Sequence, residues 1–257
     1  MKSTSPYILE CCVDSVESAI NAKKGGADRL ELCSNLVIGG TTPTLALFRQ
    51  IRETVPIRIH VLIRPRFGDF LYSPQETAVI LKEIDLFREA GADGIVIGAL
   101  TPDGNLDLEQ MKQLIAHSGK MSLTLHRAFD MCRDPFRSME EAKVLGINAI
   151  LTSGQQASCL KGIDLLSQLS EQSKGTIDIM AGAGVNESAV RTLLSQTGLT
   201  SFHMSGKKTE KSRMIFRNPA VSMGIPGMSE YEIWQTDAKE IAAVKKLLTS
   251  GPGLSVS

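Results

Sequence analysis

Short runs of β-branched and other apolar residues alternate with longer segments of helical periodicity along almost the whole chain. The alternation predicts eight strands, at 7–13, 28–33, 57–64, 93–98, 121–127, 148–153, 176–181 and 200–205. It predicts eight helices, at about 14–24, 43–54, 74–90, 107–117, 135–145, 156–173, 186–196 and 237–249. Eight such units without a linker favour an α/β fold of the (β/α)8 TIM-type barrel class over an open doubly wound sheet. We expect one domain over residues 1–257, with its core at about 7–249 and frayed ends at 1–5 and 251–257.

Glycine-containing phrases mark the points where a helix ends and the next strand begins. They read GGADRLEL (25–32), GADGIVIG (91–98), GINAILTSG (146–154) and GLTSFHMSG (198–206). Glycine accepts the left-handed conformation that often follows a helix. Helix starts are marked by residues suited to cap them, namely Asp14, Ser73, Asp134 and Asn186.

The connection at 206–236 is long for a βα loop. Its basic residues, such as Lys207, Lys208 and Lys211, predict a solvated surface loop. Its apolar residues, such as Met214 and Phe216, predict that part of the loop packs over the barrel mouth or on a neighbouring subunit.

The charge balance argues against two classes of partner. Lys plus Arg and Asp plus Glu both number 28, so electrostatics support neither a nucleic-acid nor a membrane partner. The sequence contains no apolar run near the roughly 20 residues that cross a bilayer, and its N-terminal segment lacks the apolar core of a signal peptide. We therefore expect a cytoplasmic protein, or also a nuclear one in a eukaryote, whose five cysteines are thiols.

Charged side chains occur near the C-terminal ends of several predicted strands: Glu10, Glu31, Arg64 and His126. In a barrel these ends meet at the mouth, where active sites lie. A buried charge is costly unless it is paired or binds a ligand. The four residues therefore predict one site, with an internal ring of Glu–Arg ion pairs (using Arg64, Arg66 or Arg127) as the structural alternative.

The alternation of side chains along a strand predicts which cysteines face the barrel interior and which face the helices. Because alternate residues share a face, Cys12 lies with Glu10 and Cys33 with Glu31, while Cys11 faces the helical layer. His203 is a further candidate for the mouth. Cys12 and Cys33 are also plausible as small buried apolar residues.

Two loops carry residues suited to an anion. Arg64 and Arg66 flank Pro65 in RPRFGDFLYS (64–73), which suits bidentate binding of a carboxylate or phosphate. Gly182 and Gly184 follow the seventh strand and Ser205 follows the eighth, where barrels often bind phosphate.

Sulfur ligands raise a separate possibility, because thiolate and thioether select Cu(I). Cys12, Cys33 and Met204 come from three different strands. Compact CxxC and HxxxH patterns are absent, so a zinc motif is not supported and spacing alone gives little weight to a metal site.

Eight segments resemble the CutC family over about residues 7–223: ECCVDSVESA, GGADRLELCS, GGTTPTLALF, IRPRFGDFLYS, GADGIVIGAL, TLHRAFD, ILTSG and MAGAGVN. The resemblance implies an oligomeric TIM-type barrel, a dimer or tetramer, among cytoplasmic proteins implicated in copper homeostasis. It also implies Cu(I) binding by a cysteine pair at the mouth, and Cys12 and Cys33 fall on those motif positions. The chain departs from the family pattern at Cys11, in the AGAG turn at 181–184 and at Met204.

Two functions therefore stay open. The first, which the resemblance favours, is a copper homeostasis protein that binds Cu(I) through Cys12 and Cys33. The second is a metal-independent enzyme for a small phosphate- or carboxylate-bearing metabolite. In that enzyme Glu10 or His126 would be the general acid/base, Glu31 would position the substrate, and the predicted anion site would hold it. A scaffold with a vestigial mouth is a third possibility.

Overall fold

A computed structural model describes residues 6–218, 220–223, 225 and 227–250. Eight parallel strands close into a barrel in chain order, with β1 paired to both β2 and β8. The strands are β1 (Ile8–Val13), β2 (Arg29–Leu32), β3 (Arg58–Leu62), β4 (Gly94–Ile97), β5 (Ser122–Leu125), β6 (Ala149–Thr152), β7 (Asp178–Ala181) and β8 (Ser201–Met204). The helices are α1 (Val16–Gly25), α2 (Leu45–Thr54), α3 (Pro74–Glu89), α4 (Leu108–Ser118), α5 (Pro135–Val144), α6 (Ile163–Ser173), α7 (Glu187–Gln196) and α8 (Ala238–Ser250). The predicted (β/α)8 fold is confirmed, while the predicted frayed ends lie outside the described residues.

Capping side chains set the helix starts, as the sequence predicts in three of four cases. Ser73 and Glu76 form a reciprocal capping box around Pro74, and Asp134 and Asn186 cap α5 and α7. The prediction for Asp14 is wrong, because Ser15 caps α1 by accepting from the N–H of Ser18. The carboxylate of Asp14 instead bonds the backbone of Leu36 in the loop after β2.

The start of α6 differs from the prediction. The helix begins at Ile163 rather than near residue 156, because Gly154 and Gly162 bring the two ends of a compact loop into contact. A Cβ on either glycine would overlap the backbone of the other. Asp130 fixes the same loop, since its carboxylate accepts from the backbone N–H groups of Ser153 and Gln155.

The long connection after β8 contains an antiparallel hairpin, of β9 (Lys207–Lys211) and β10 (Glu232–Thr236), where a plain surface loop was predicted. At its base, Lys207 Nζ lies 3.3 Å from the centroid of the Trp234 ring, and both residues face the barrel mouth. Met214 and Phe216 are exposed, so they do not pack over the mouth. Their packing on a neighbouring subunit stays a prediction.

Within the described ranges, no helix is both long and apolar enough to cross a membrane.

Candidate functional site

A cavity of about 890 Å³ opens at the C-terminal ends of the barrel strands. This volume is in the range of small-molecule sites. One wall carries Cys12, Glu31 and His203, from β1, β2 and β8. The other wall carries Arg64, Phe70 and His126, which follow β3 and β5.

Glu10 is fully buried between two cations beneath the first wall. In the barrel register its neighbours are Arg29 on β2 and His203 on β8. Arg29 Nε donates to Glu10 Oε2, and His203 Nδ1 lies 2.8 Å from Glu10 Oε1. Burial raises the pKa of Glu10, but the charges of Arg29 and His203 outweigh it and hold that pKa well below its usual range. The ion pairing weighed as an alternative is therefore present for Glu10, with Arg29 in place of Arg64, Arg66 or Arg127.

His203 links Glu10 to the cavity. Its Nε2 lies 3.7 Å from Glu31 Oε2, and single ligand atoms of Cys12, Glu31 and His203 all lie within 4.8 Å of one another. Burial lowers the pKa of His203, but Cys12, Glu31 and Glu10 together raise it well above its usual value. Burial raises the pKa of Glu31 to about 7, since the charge of Glu10 adds to desolvation and His203 and Arg29 offset only part of it. The wall thus combines one soft donor, one imidazole and one carboxylate.

The predicted ligand Cys33 lies behind this wall. It belongs to a small apolar cluster with Cys12, Leu62 and Val96, and its Sγ donates to the Val13 carbonyl at 3.4 Å. It is not among the residues that line the cavity. Burial, aided by the charge of Glu31, raises the pKa of the Cys33 thiol. The structure therefore brings Cys33 next to Cys12 without placing its sulfur in the three-donor group.

Cys11 has the outward phase that the sequence predicts. It is buried in the main core between barrel and helices, and its thiol approaches the Ser205 carbonyl at 3.7 Å.

Arg64 and His126 form the second wall together. Both are buried and line the cavity, as their strand-end positions predict. His126 Nδ1 accepts from the N–H of Ala128, and burial together with the charge of Arg64 lowers the pKa of His126 to about 3. His126 is therefore a neutral imidazole at physiological pH.

The remaining predicted anion residues divide into two groups. Gly184, with φ of +80°, and Ser205 line the cavity. Gly182 packs against Leu151 and is not among the lining residues. Arg66 also lies outside the lining, because Glu76 and Asp69 engage its guanidinium. The anion-binding role of these residues stays a prediction.

Sequence reasoning missed Arg29 and gave His203 only a minor place. Arg29, Glu31 and Cys33 share one strand phase, so alternation alone would have turned Arg29 inward. The pairing of His203 with Glu10 depends on closure of the barrel between β8 and β1, which strand phase does not reveal.

Comparison with known proteins places the chain in a family. The sequence profile described as "CutC family" matches residues 7–208. The chain belongs to the CutC family. A family protein CutC from Bacteroides fragilis is 46% identical over 248 residues, covering 95% of this chain and 98% of that protein. The human copper homeostasis protein cutC homolog is 44% identical over 242 residues, covering 94% of this chain and 89% of that protein.

A solved CutC structure has the same fold. The putative copper homeostasis protein CutC from Streptococcus agalactiae superposes with a TM-score of 0.74 at 29% identity, over 77% of this chain and 98% of that one. The thiamine phosphate pyrophosphorylase from Pyrococcus furiosus superposes with a TM-score of 0.59 at 15% identity, over 97% of this chain and 98% of that one. That second likeness shows the barrel fold alone. CutC membership and the fold thus agree with the resemblance read from the sequence.

Proposed function

We propose that this CutC protein binds Cu(I) as cargo at the barrel mouth and acts in copper homeostasis. The observation that carries the proposal is the convergence of Cys12, His203 and Glu31, with ligand atoms within 4.8 Å of one another. A thiolate selects Cu(I) and an imidazole also suits copper. The donor set therefore fits the ion that the names of the human and Streptococcus agalactiae relatives imply.

Cys12 and His203 are the primary ligands in this proposal. Cys33, predicted as the second thiolate, contacts the same apolar cluster and joins the ion only when its sulfur turns away from the Val13 carbonyl. Glu31 offers a hard oxygen, which Cu(I) binds poorly. We assign it to balancing charge.

Anaerobic titration of the purified protein with Cu(I) against a competing chelator tests the proposal. We expect one Cu(I) per chain in the wild type, with uptake lost in Cys12→Ser and strongly weakened in His203→Asn. Cys159→Ser is the matched control, because Cys159 is a buried thiol outside the cavity lining. Unchanged uptake in a Cys12→Ser/Cys33→Ser double variant contradicts the proposal.

A second candidate is a metal-independent enzyme for a small anionic metabolite. The cavity favours it, because 890 Å³ far exceeds what a single ion needs. Glu31, whose pKa is raised to about 7 mainly by burial, is suited to general acid/base catalysis at neutral pH. Incubation of metal-free protein with phosphorylated and carboxylated compounds tests it. Turnover that Glu31→Gln abolishes supports the enzyme, and absence of turnover across the set argues against it.

We also propose self-association as a dimer or tetramer. Ile215 is fully exposed and Phe216 is 76% exposed in the segment that joins β9 to β10, which suits an intersubunit contact. Sedimentation of an Ile215→Ser/Phe216→Ser variant should show smaller particles than the wild type. Val144→Ser, on an exposed apolar residue of α5, is the control. A monomeric wild type at micromolar concentration contradicts this expectation.

A further inference from the structure

Arg64 is a buried cation without an acidic partner among the described residues. Only 8% of the residue is exposed. Its guanidinium donates to the backbone carbonyls of Gly39, Gly40 and Gly68, at 3.3, 3.1 and 2.8 Å. Carbonyl dipoles satisfy hydrogen bonds but leave the net charge uncompensated, and a buried uncompensated charge is costly. The position is therefore suited to an anion.

The Arg64 guanidinium also has N–H donors that these carbonyls do not use. It has five N–H bonds, of which three are donated to these carbonyls. Arg64 Nε is buried and makes no hydrogen bond of ordinary geometry in the described part of the chain, and the buried Tyr72 hydroxyl beside the guanidinium is likewise unpaired by that measure. The guanidinium of the neighbouring Arg66 is not available to a ligand, because it forms ion pairs with Glu76 and Asp69 outside the cavity.

His126 supplies another donor on the same wall. Because Nδ1 accepts from the N–H of Ala128, the ring proton of the neutral imidazole resides on Nε2. His126 Nε2 is buried and also lacks a partner among the residues described. Two orphaned donors on one cavity wall require an explanation, since buried polar groups are ordinarily hydrogen-bonded.

Phe70 contacts both groups. The Arg64 Cζ lies 4.9 Å from the centroid of its ring, and the His126 ring centroid lies 4.8 Å from the same point. Phe70 is itself half-buried and lines the cavity. The Phe70 ring therefore packs against both the guanidinium and the imidazole at the cavity wall.

We propose that Arg64, His126 and Phe70 form a subsite for the carboxylate of a small organic ligand, covered by the Phe70 ring until the ligand enters. The remaining guanidinium N–H bonds suit a planar two-oxygen anion, and the imidazole N–H binds the ligand beside it. The opposite wall then meets the other end of the ligand with Glu31 and His203. The subsite extends the second candidate function and is independent of copper.

Titration of the full-length, metal-free protein with pyruvate, and separately with inorganic phosphate, tests the subsite. The readouts are the ring nitrogen signals of His126 and the backbone amides of Gly40 and Gly68. We expect saturable shifts with pyruvate and weaker ones with phosphate. Arg64→Lys keeps the positive charge but removes the paired N–H donors of the guanidinium. It should weaken pyruvate binding by on the order of tenfold, which corresponds to about one charge-assisted hydrogen bond.

Two further variants complete the experiment. Arg66→Met, on the same loop but outside the cavity, should bind pyruvate as the wild type does. Phe70→Ala should bind pyruvate more tightly, because the covering ring no longer competes. The subsite is overturned by no saturable pyruvate binding, by phosphate binding tighter than pyruvate, or by equal affinities in Arg64→Lys and Arg66→Met.

The enzyme hypothesis and the subsite hypothesis are contradicted by different experimental results. Pyruvate binding without turnover of any compound supports the subsite and argues against the enzyme. Turnover with kinetics unchanged in Arg64→Lys supports the enzyme and overturns the subsite.

Discussion

Glu10 and His203 lie side by side on the first and last strands of the barrel, with Glu10 Oε1 2.8 Å from His203 Nδ1. The contact joins residues 193 positions apart in the chain, and it forms only where β8 closes onto β1. Glu10 also accepts from Arg29, so one buried carboxylate orders two side chains of the site. The imidazole is thereby oriented with Nε2 toward Cys12 and Glu31.

Glu10→Gln should destabilise the protein by about 3–5 kcal/mol, because it leaves Arg29 and His203 buried with their counter-charge removed. Urea unfolding monitored by circular dichroism measures the change in free energy. Glu53→Gln, at an exposed glutamate of α2, is the control and should change stability by less than about 0.5 kcal/mol. A loss below 1 kcal/mol in Glu10→Gln contradicts the buried ion-pair description.

Glu31→Gln should stabilise the protein at pH 8 and have little effect at pH 4. The pKa of Glu31 is raised from 4.5 to about 7, mainly by burial, so the folded state holds a proton that the unfolded state releases. That contribution is fully present below pH 4.5 and is lost as the pH rises through 7. At 1.36 kcal/mol per pKa unit, the gain at pH 8 is on the order of 3 kcal/mol. Urea unfolding of the wild type and Glu31→Gln at pH 4 and pH 8 measures the change in stability at each pH. An equal change at the two pH values would rule out the raised pKa of Glu31.

Two buried histidines should make the protein lose stability in acid. Burial, together with the charge of Arg29, lowers the pKa of His60 from 6.5 to about 4. Burial, together with the charge of Arg64, lowers the pKa of His126 from 6.5 to about 3. Their neutral forms support folding above pH 6.5, and this support is lost as the pH falls toward 4 and 3. The slope reaches up to about 2.7 kcal/mol per pH unit for two protons.

Glu31 titrates in the opposite sense between pH 4.5 and 7, so the acid slope should be steepest in the Glu31→Gln variant. Ring nitrogen NMR provides the direct measurement. Protonation of His126 near pH 6.5 would show that it is not held neutral.

Gly154→Ala should destabilise the protein by at least about 3 kcal/mol. The residue has φ of +70°, and a Cβ there would overlap the backbone of Gly162, which cannot move without disrupting the start of α6. Gly146→Ala is matched in conformation, with φ of +76° and nothing within 4 Å of its Cβ position, and should cost only about 1 kcal/mol. Thermal unfolding compares the two, and equal losses would remove the steric explanation.

Local rules were sufficient for much of the architecture. The eight strands, the caps at Ser73, Asp134 and Asn186, and the opposite faces of Cys11 and Cys12 all follow from side-chain period and cap chemistry within a few residues. The mouth positions of Arg64 and His126 follow from the same periodicity combined with the barrel. Local rules failed at Asp14, where a contact with a distant loop removed the expected cap.

The pairings within the site were decided by tertiary structure. The sequence determined that Glu31, Cys12, Arg64 and His126 would gather at one end of the barrel, whereas Glu10, expected at the same mouth, lies beneath it and outside the cavity lining. Only closure of β8 onto β1 paired Glu10 with His203, and the register between β1 and β2 paired it with Arg29. Packing of the folded barrel placed Cys33 behind Cys12 and surrounded the Arg64 guanidinium with backbone carbonyls. Side-chain period is a property of neighbouring residues, whereas these partnerships depend on register between strands far apart in the chain, which no local pattern encodes.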